Sequence, residues 1–235
     1  MGAWDAYVAS YDKQGALRWV STVGGSGNDF AYDVTTAPGR VLVTGYYEGS
    51  VSVATKKLPA AGGREVFVVE FDAATGAPRW GRGFAGTSGE SGQGVAVDKK
   101  GEVIVVGFHG GPLDFGSGVL APKTSTAGFV AKLSADGQTL RWARSDDGTA
   151  AWDIDIGPTG NLFVASRFGV GTDLGQGTLQ SEGSQDGLLL KLAPQNGAIL
   201  WYRQQGGTDS DLALGVTVDG QGNSYVVGIG GPAMD

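Results

Sequence analysis

The chain has 235 residues, a formal net charge of −7 from 17 Lys+Arg and 24 Asp+Glu, no cysteine and 43 glycines. The missing cysteine excludes disulfides, thiol catalysis and cysteine-ligated metals. The acidic balance, with no basic run of five or more, argues against a nucleic-acid or anionic-membrane surface.

The first five residues, Met-Gly-Ala-Trp-Asp, carry neither the basic nor the apolar region of a signal peptide. No apolar run approaches the roughly 18 residues a membrane span needs. Strands are then predicted in order. Ala6–Tyr11 is followed by a strand holding Trp19, then Tyr32–Ala37 and Val41–Gly45. Phe67–Phe71 and a strand holding Trp80 come next, followed by Val95–Asp98 and Val103–Gly107, which a Lys-Lys-Gly turn joins. After a Gly-, Pro-, Ser- and Thr-rich excursion from Phe108 to Ala127 come Phe129–Leu133 and Leu140–Ala143, the latter holding Trp142. The chain continues with Trp152–Ile156, Leu162–Ala165, Leu188–Leu192, a strand holding Trp201, Leu214–Val218 and Ser224–Gly228. These runs are short, β-branched and bounded by glycine turns, and none holds a helical period, so the chain reads as all-β.

Trp19, Trp80, Trp142 and Trp201 are separated by 61, 62 and 59 residues, so one four-stranded unit is written about four times. Call its strands a, b, c and d in order, with the tryptophan on d. Four-stranded antiparallel units at this period are the blades of a β-propeller. Residues 1–235 therefore read as a single propeller domain, out of phase with its blades: it opens on c and d and closes on a and b. Pairing of Ser224–Gly228 with Ala6–Tyr11 would close a ring within the chain. Two chains exchanging these halves would instead build eight blades, so a homodimer is the second expectation.

Asp5-Ala6-Tyr7-Val8-Ala9, Gly24-Gly25-Ser26-Gly27-Asn28-Asp29, Gly128-Phe129-Val130-Ala131-Lys132-Leu133, Val216-Thr217-Val218-Asp219 and Gly222-Asn223-Ser224-Tyr225-Val226-Val227-Gly228 resemble the SBBP-type β-propeller repeat of bacterial surface and secreted proteins. The resemblance implies an extracellular or cell-surface protein and no shared activity. The third unit departs from it, with Asp146-Asp147-Gly148-Thr149 in place of the Gly-Gly-Ser-Gly loop. Asp72-Ala73-Ala74-Thr75-Gly76-Ala77-Pro78-Arg79-Trp80 is similar to the tryptophan-docking segment of quinoprotein dehydrogenase propellers. Those are larger rings whose cofactor site uses adjacent cysteines, which this chain lacks.

The repeated tryptophans are expected to pack between blades, with each N–H on a neighbouring turn. Trp152 and Trp4 lie off that register and are the aromatic binding candidates. Asp33 and Asp153 fall at one position of strand a, where the other units have Gly94 and Gly215. Across a channel such a pair would bind a cation or perform glycan hydrolysis; capping of strand starts is the alternative. Asp29, Asp146, Asp147, Asp209 and Asp211 lie in oxygen-rich loops that suit calcium, though none has a full calcium-loop spacing. His109, the sole histidine, is expected in a solvated loop, and no Gly-x-Ser-x-Gly elbow accompanies it. No catalytic set is assembled, and no other cofactor is implied. The sequence thus points to a non-catalytic module that binds a glycan or a protein partner. A scaffold without its own ligand, or a glycan hydrolase using Asp33 and Asp153, are the alternatives.

Overall fold

A computed structural model describes residues 4–116, 118–175 and 177–231. The strands in order are β1 (Ala6–Tyr11), β2 (Leu17–Val23), β3 (Phe30–Ala37), β4 (Arg40–Glu48), β5 (Ser52–Val53), β6 (Lys56–Lys57), β7 (Arg64–Asp72) and β8 (Pro78–Phe84). They continue as β9 (Ser91–Val97), β10 (Val103–His109), β11 (Leu113–Asp114), β12 (Val119–Leu120), β13 (Ala127–Leu133) and β14 (Leu140–Asp147). The last six are β15 (Thr149–Ile156), β16 (Leu162–Gly169), β17 (Gln185–Leu192), β18 (Ile199–Gln205), β19 (Leu212–Val218) and β20 (Ser224–Ile229).

Three complete antiparallel blades result: β3-β4-β7-β8, β9-β10-β13-β14 and β15-β16-β17-β18. Half-blades flank them, β1-β2 before and β19-β20 after. The expected pairing of Ser224–Gly228 with Ala6–Tyr11 is not made: among the described residues β1 pairs only with β2, and β20 only with β19. The physical reason lies in the inner strands. Asp33 of β3 is bonded to Val95 of β9, and Asp153 of β15 to Val216 of β19. These bonds hold each inner strand against the next, and each half-blade packs on its own neighbouring blade, β1-β2 on the first and β19-β20 on the third. The excursion between b and c also holds more order than its composition suggests, since β5-β6 and β11-β12 form small hairpins there.

Each blade is apolar on both faces because a blade lies against each. From the second blade, Ile104, Val106 and Val130 pack with Leu162, Val164 and Leu190 of the third. Its Val105, Phe129 and Ala131 face the other way, onto Leu42, Val66 and Phe84 of the first. All of these are essentially buried. Period-2 alternation is therefore hidden, and the strands read as continuous apolar runs.

Every strand a carries a bulge at the same register. The pairing slips between Ala31 and Asp33, between Gly92 and Gly94, between Ala151 and Asp153, and between Ala213 and Gly215. The extra residue is Tyr32, Gln93, Trp152 or Leu214. A bulge bends its strand and re-aims one side chain. Opposite it the backbone comes close: a Cβ on Gly45 would lie 1.8 Å from the Phe30 carbonyl oxygen, and one on Gly228 would lie 1.8 Å from that of Leu212. Glycine stands at that place on strand b in three of the four units, and Ser166 stands there in the third blade, donating its hydroxyl to the Ala150 carbonyl at 2.8 Å.

Candidate functional site

The blades present two edges. One carries the a–b and c–d turns. The other, the mouth, carries the d–a loops, the b–c excursions and the bulges.

The turn edge is built on the repeated tryptophans. Trp19 lies over Gly76 of the first blade, Trp80 over Gly137 of the second and Trp142 over Gly197 of the third, each against a position where a Cβ would be 2.5–2.6 Å from the indole. Trp19 donates its N–H to the Ala73 carbonyl and Trp142 to that of Pro194, both at 3.1 Å. All three pack on the next blade, and the expected N–H bond to a neighbouring turn is made by these two. Trp80 instead donates to Glu70 of its own blade at 2.8 Å. Trp201 is half-buried against Phe163 and docks on no glycine. Trp19, Trp80 and Trp142 thus act as joints between blades.

At the mouth, Trp152 stands out by its bulge. Its ring lies 5.8 Å from Phe108 of the second blade, and its Nε1 is buried with no acceptor. A cavity of about 260 Å³ opens beside it, lined also by Ser88, Gly110, Ser125, Thr126 and Arg167. Arg167 of β16 sits opposite Ala150, two residues from the bulged Trp152. Its guanidinium makes no ion pair or hydrogen bond among the described residues, and burial alone lowers its pKa. Trp152 and Arg167 therefore line one cavity: the indole N–H is buried without an acceptor, and the half-buried guanidinium has no acceptor among the described residues. A buried donor left unsatisfied costs about 1–3 kcal/mol, and such groups are uncommon enough to require a reason. Arg167 carried no sequence signal, because nothing in the repeat pattern marks a strand-b residue as unpaired. The bulge register that puts it beside Trp152 would have been the clue.

Trp4, the other aromatic candidate, is exposed at the opposite end of the chain, where its carbonyl accepts the Asp29 N–H at 2.8 Å. It takes no part in this cavity. Asp33 and Asp153 are each bound to backbone on the neighbouring inner strand. Asp33 accepts N–H groups from Val95 and Val34, and Asp153 from Val216 and Ile154, at 2.7–2.8 Å. Each ties one inner strand to the next, aided by Asp155, which accepts from Val218 at 2.7 Å. Asp153 has a raised pKa, chiefly through burial, while the Asp33 and Asp155 charges add smaller amounts.

The loop aspartates are also engaged separately. Asp29 and Asp211 are buried and accept loop N–H groups from Gly25 and Gly207 at 2.8 Å. Burial raises the Asp29 pKa. Asp146 is gripped by Arg144, Asp147 accepts the Lys123 N–H at 2.7 Å, and Asp209 is exposed. Among the described residues no three acidic or histidine side chains come together as a metal-binding group.

His109 corrects the expectation of a solvated loop. It is the last residue of β10 and fully buried. Its Nδ1 lies 2.7 Å from the Gly111 carbonyl and its Nε2 2.8 Å from the Ser145 hydroxyl. Strand β10 runs further than its apolar pattern suggests, and Phe129 meets the ring edge-on. Burial lowers its pKa, so the ring is neutral and structural.

No protein-family model matches the chain, and no curated protein matches it. Among solved structures it is similar to quinohemoprotein alcohol dehydrogenase ADHIIG from Pseudomonas putida HK5, at 15% identity and a TM-score of 0.50. It is equally similar to the quinohemoprotein alcohol dehydrogenase of Comamonas testosteroni, at 14% identity and a TM-score of 0.50. Each superposition covers 94% of this chain but only 35% and 36% of those chains, so it spans about a third of their length. Both are propeller proteins, and at this identity the likeness establishes the fold alone: all-β, of propeller type.

Proposed function

We propose that this chain is a non-catalytic propeller module that binds a glycan or a protein partner at its mouth, between the second and third blades. The observation that supports this most is the cavity that Trp152 and Arg167 line together, where the Arg167 guanidinium has no acceptor among the described residues. A guanidinium binds a carboxylate through two parallel hydrogen bonds, and an indole offers both an N–H and a stacking face. The fitting ligand group is therefore a carboxylate on a flat or ring-shaped body. A uronic-acid residue of a glycan provides both parts, and an acidic side chain of a protein provides the carboxylate. A cavity of about 260 Å³ admits one such residue. The resemblance of the repeats to those of bacterial surface proteins is the ground for proposing that the module works outside the cell or on its surface.

The test is calorimetric titration with a uronic-acid oligosaccharide and, separately, with a Glu-rich peptide. Arg167→Gln and Trp152→Phe are each expected to weaken binding at least tenfold while the far-ultraviolet spectrum stays unchanged. Equal affinity in both variants would overturn the site. Hydrolysis through Asp33 and Asp153 is disfavoured because both carboxylates are held by backbone N–H groups. Loss of a glycan-cleaving activity in Asp33→Asn, with the fold intact, would restore that reading.

A further inference from the structure

The half-blades at the two ends are complementary parts of one blade, and each lacks what the other offers. Every complete blade aligns strands b and c in one register: Val43 opposite Val69, Val105 opposite Ala131, and Val164 opposite Leu190. Carried to the half-blades, that register sets Val226 of β20 opposite Ala9 of β1, and Gly228 opposite Tyr7. Both strand edges are open. The side chains next to them are apolar and exposed: Tyr225, Val227 and Ile229 on one side, Tyr7 and Tyr11 on the other. Elsewhere in the molecule strands a and b cover such positions. A groove of about 700 Å³ lies between the β1–β2 half-blade and β3, lined by Tyr7, Tyr11, Tyr32 and Val34. It is the seat that an a–b pair occupies between complete blades.

The joints at the turn edge supply an independent match. Three tryptophans each dock on the c–d turn glycine of the following blade. Trp201 is the fourth, and it has no glycine. Gly15 is the fourth c–d turn glycine, with φ +85° like its counterparts, and nothing lies within 4 Å of its Cβ position. The arginine two residues beyond the tryptophan repeats the pattern. Arg82 donates to the Gly137 carbonyl at 2.9 Å, and Arg144 to that of Gly197 at 2.6 Å. Arg203 turns back onto the Tyr202 carbonyl.

We propose that two copies of this chain associate head to tail. The β1-β2 half-blade of one completes the β19-β20 half-blade of the other, Trp201 docks on Gly15 of the second copy, and Arg203 donates to its carbonyl. Applied twice about a twofold axis, the exchange yields six internal and two composite blades, a closed ring with no open strand edge. Closure matters physically, because exposed edges of this length invite uncontrolled pairing.

The experiment is light scattering of the full chain over a concentration series, joined to cross-linking, which the absence of native cysteine makes clean. The expected result is a mass twice that of the chain. Trp201→Ala is expected to weaken the dimer at least tenfold. Ala9→Cys and Val226→Cys, made in separate chains and mixed under mild oxidation, are expected to give a covalent dimer containing one of each. A monomer at every concentration, with no mixed cross-link, would overturn the proposal and leave the half-blades to another segment. A monomeric double variant with an internal disulfide would overturn it in favour of closure within the chain. A dimer without the mixed cross-link would overturn the head-to-tail arrangement.

Discussion

The turn edge and the mouth of this molecule are made from the same strands, yet they repeat differently. At the turn edge the same joint recurs at three of the four tryptophans, an indole laid on the glycine of the next turn. At the mouth the backbone recurs, with a bulge in every strand a, but the side chain it re-aims is Tyr32, Gln93, Trp152 or Leu214. The two neighbouring mouths differ further. Between the first and second blades Arg64 is paired with Glu48 at 3.3 Å and lies 4.5 Å from the Tyr46 ring centroid, so its charge is satisfied within the chain. Between the second and third blades Arg167 has no such partner. Repetition marks what holds the blades together; variation on a fixed backbone marks where a ligand can be distinguished.

The largest effect is expected at the turn edge. Lys132 has a side chain only 6% exposed and pairs with Asp98 at 2.7 Å and Glu102 at 3.0 Å, while also donating to the Pro194 carbonyl of the next blade at 3.2 Å. Lys132→Ala leaves the partly buried Asp98 without its cation, while Glu102 keeps Arg141 at 2.9 Å, and should cost about 3 kcal/mol, measured by urea unfolding. The next is a matched pair. Gly137 and Gly15 both have positive φ, +69° and +85°, so alanine at either costs about 1–2 kcal/mol from the backbone. Only Gly137→Ala also drives a methyl into an indole, adding about 1–3 kcal/mol. Equal losses in the monomeric chain would sink the claim that the indole joints hold the blades.

A smaller effect separates structure from recognition within the mouth. The folded His109 has a pKa below its ordinary 6.5 because it is buried. As pH falls through 6.5 the unfolded chain takes up the proton first, so this contribution is present above 6.5 and lost toward the lower folded value. Thermal melts at pH 7.5 and 5.5 should show a drop that is shallower in His109→Gln. An identical drop in both would assign the pH dependence to other groups. The smallest effect is on stability at Arg167. Arg167→Gln should change it by no more than about 0.5 kcal/mol, because no partner is left behind. The same substitution should abolish most carboxylate binding. A large loss of stability would instead give Arg167 a structural role.

The repeat, the strand order and the division into half-blades were legible from Trp19, Trp80, Trp142 and Trp201 and from the glycine-bounded apolar runs. Burial of both blade faces writes itself directly into composition, and a tight turn needs a glycine wherever it recurs. The tertiary structure decided the rest. Whether Ser224–Gly228 meets Ala6–Tyr11 depends on an angle between blades, which close packing of the inner strands fixes and no single residue encodes. That Asp33 and Asp153 bond backbone rather than each other depends on which strand lies beside each. His109 is buried because β10 runs past its apolar segment into the cover of the next strands. Arg167 counts because no acceptor among the described residues reaches its guanidinium, and that is a property of the surroundings that the sequence of one strand does not carry.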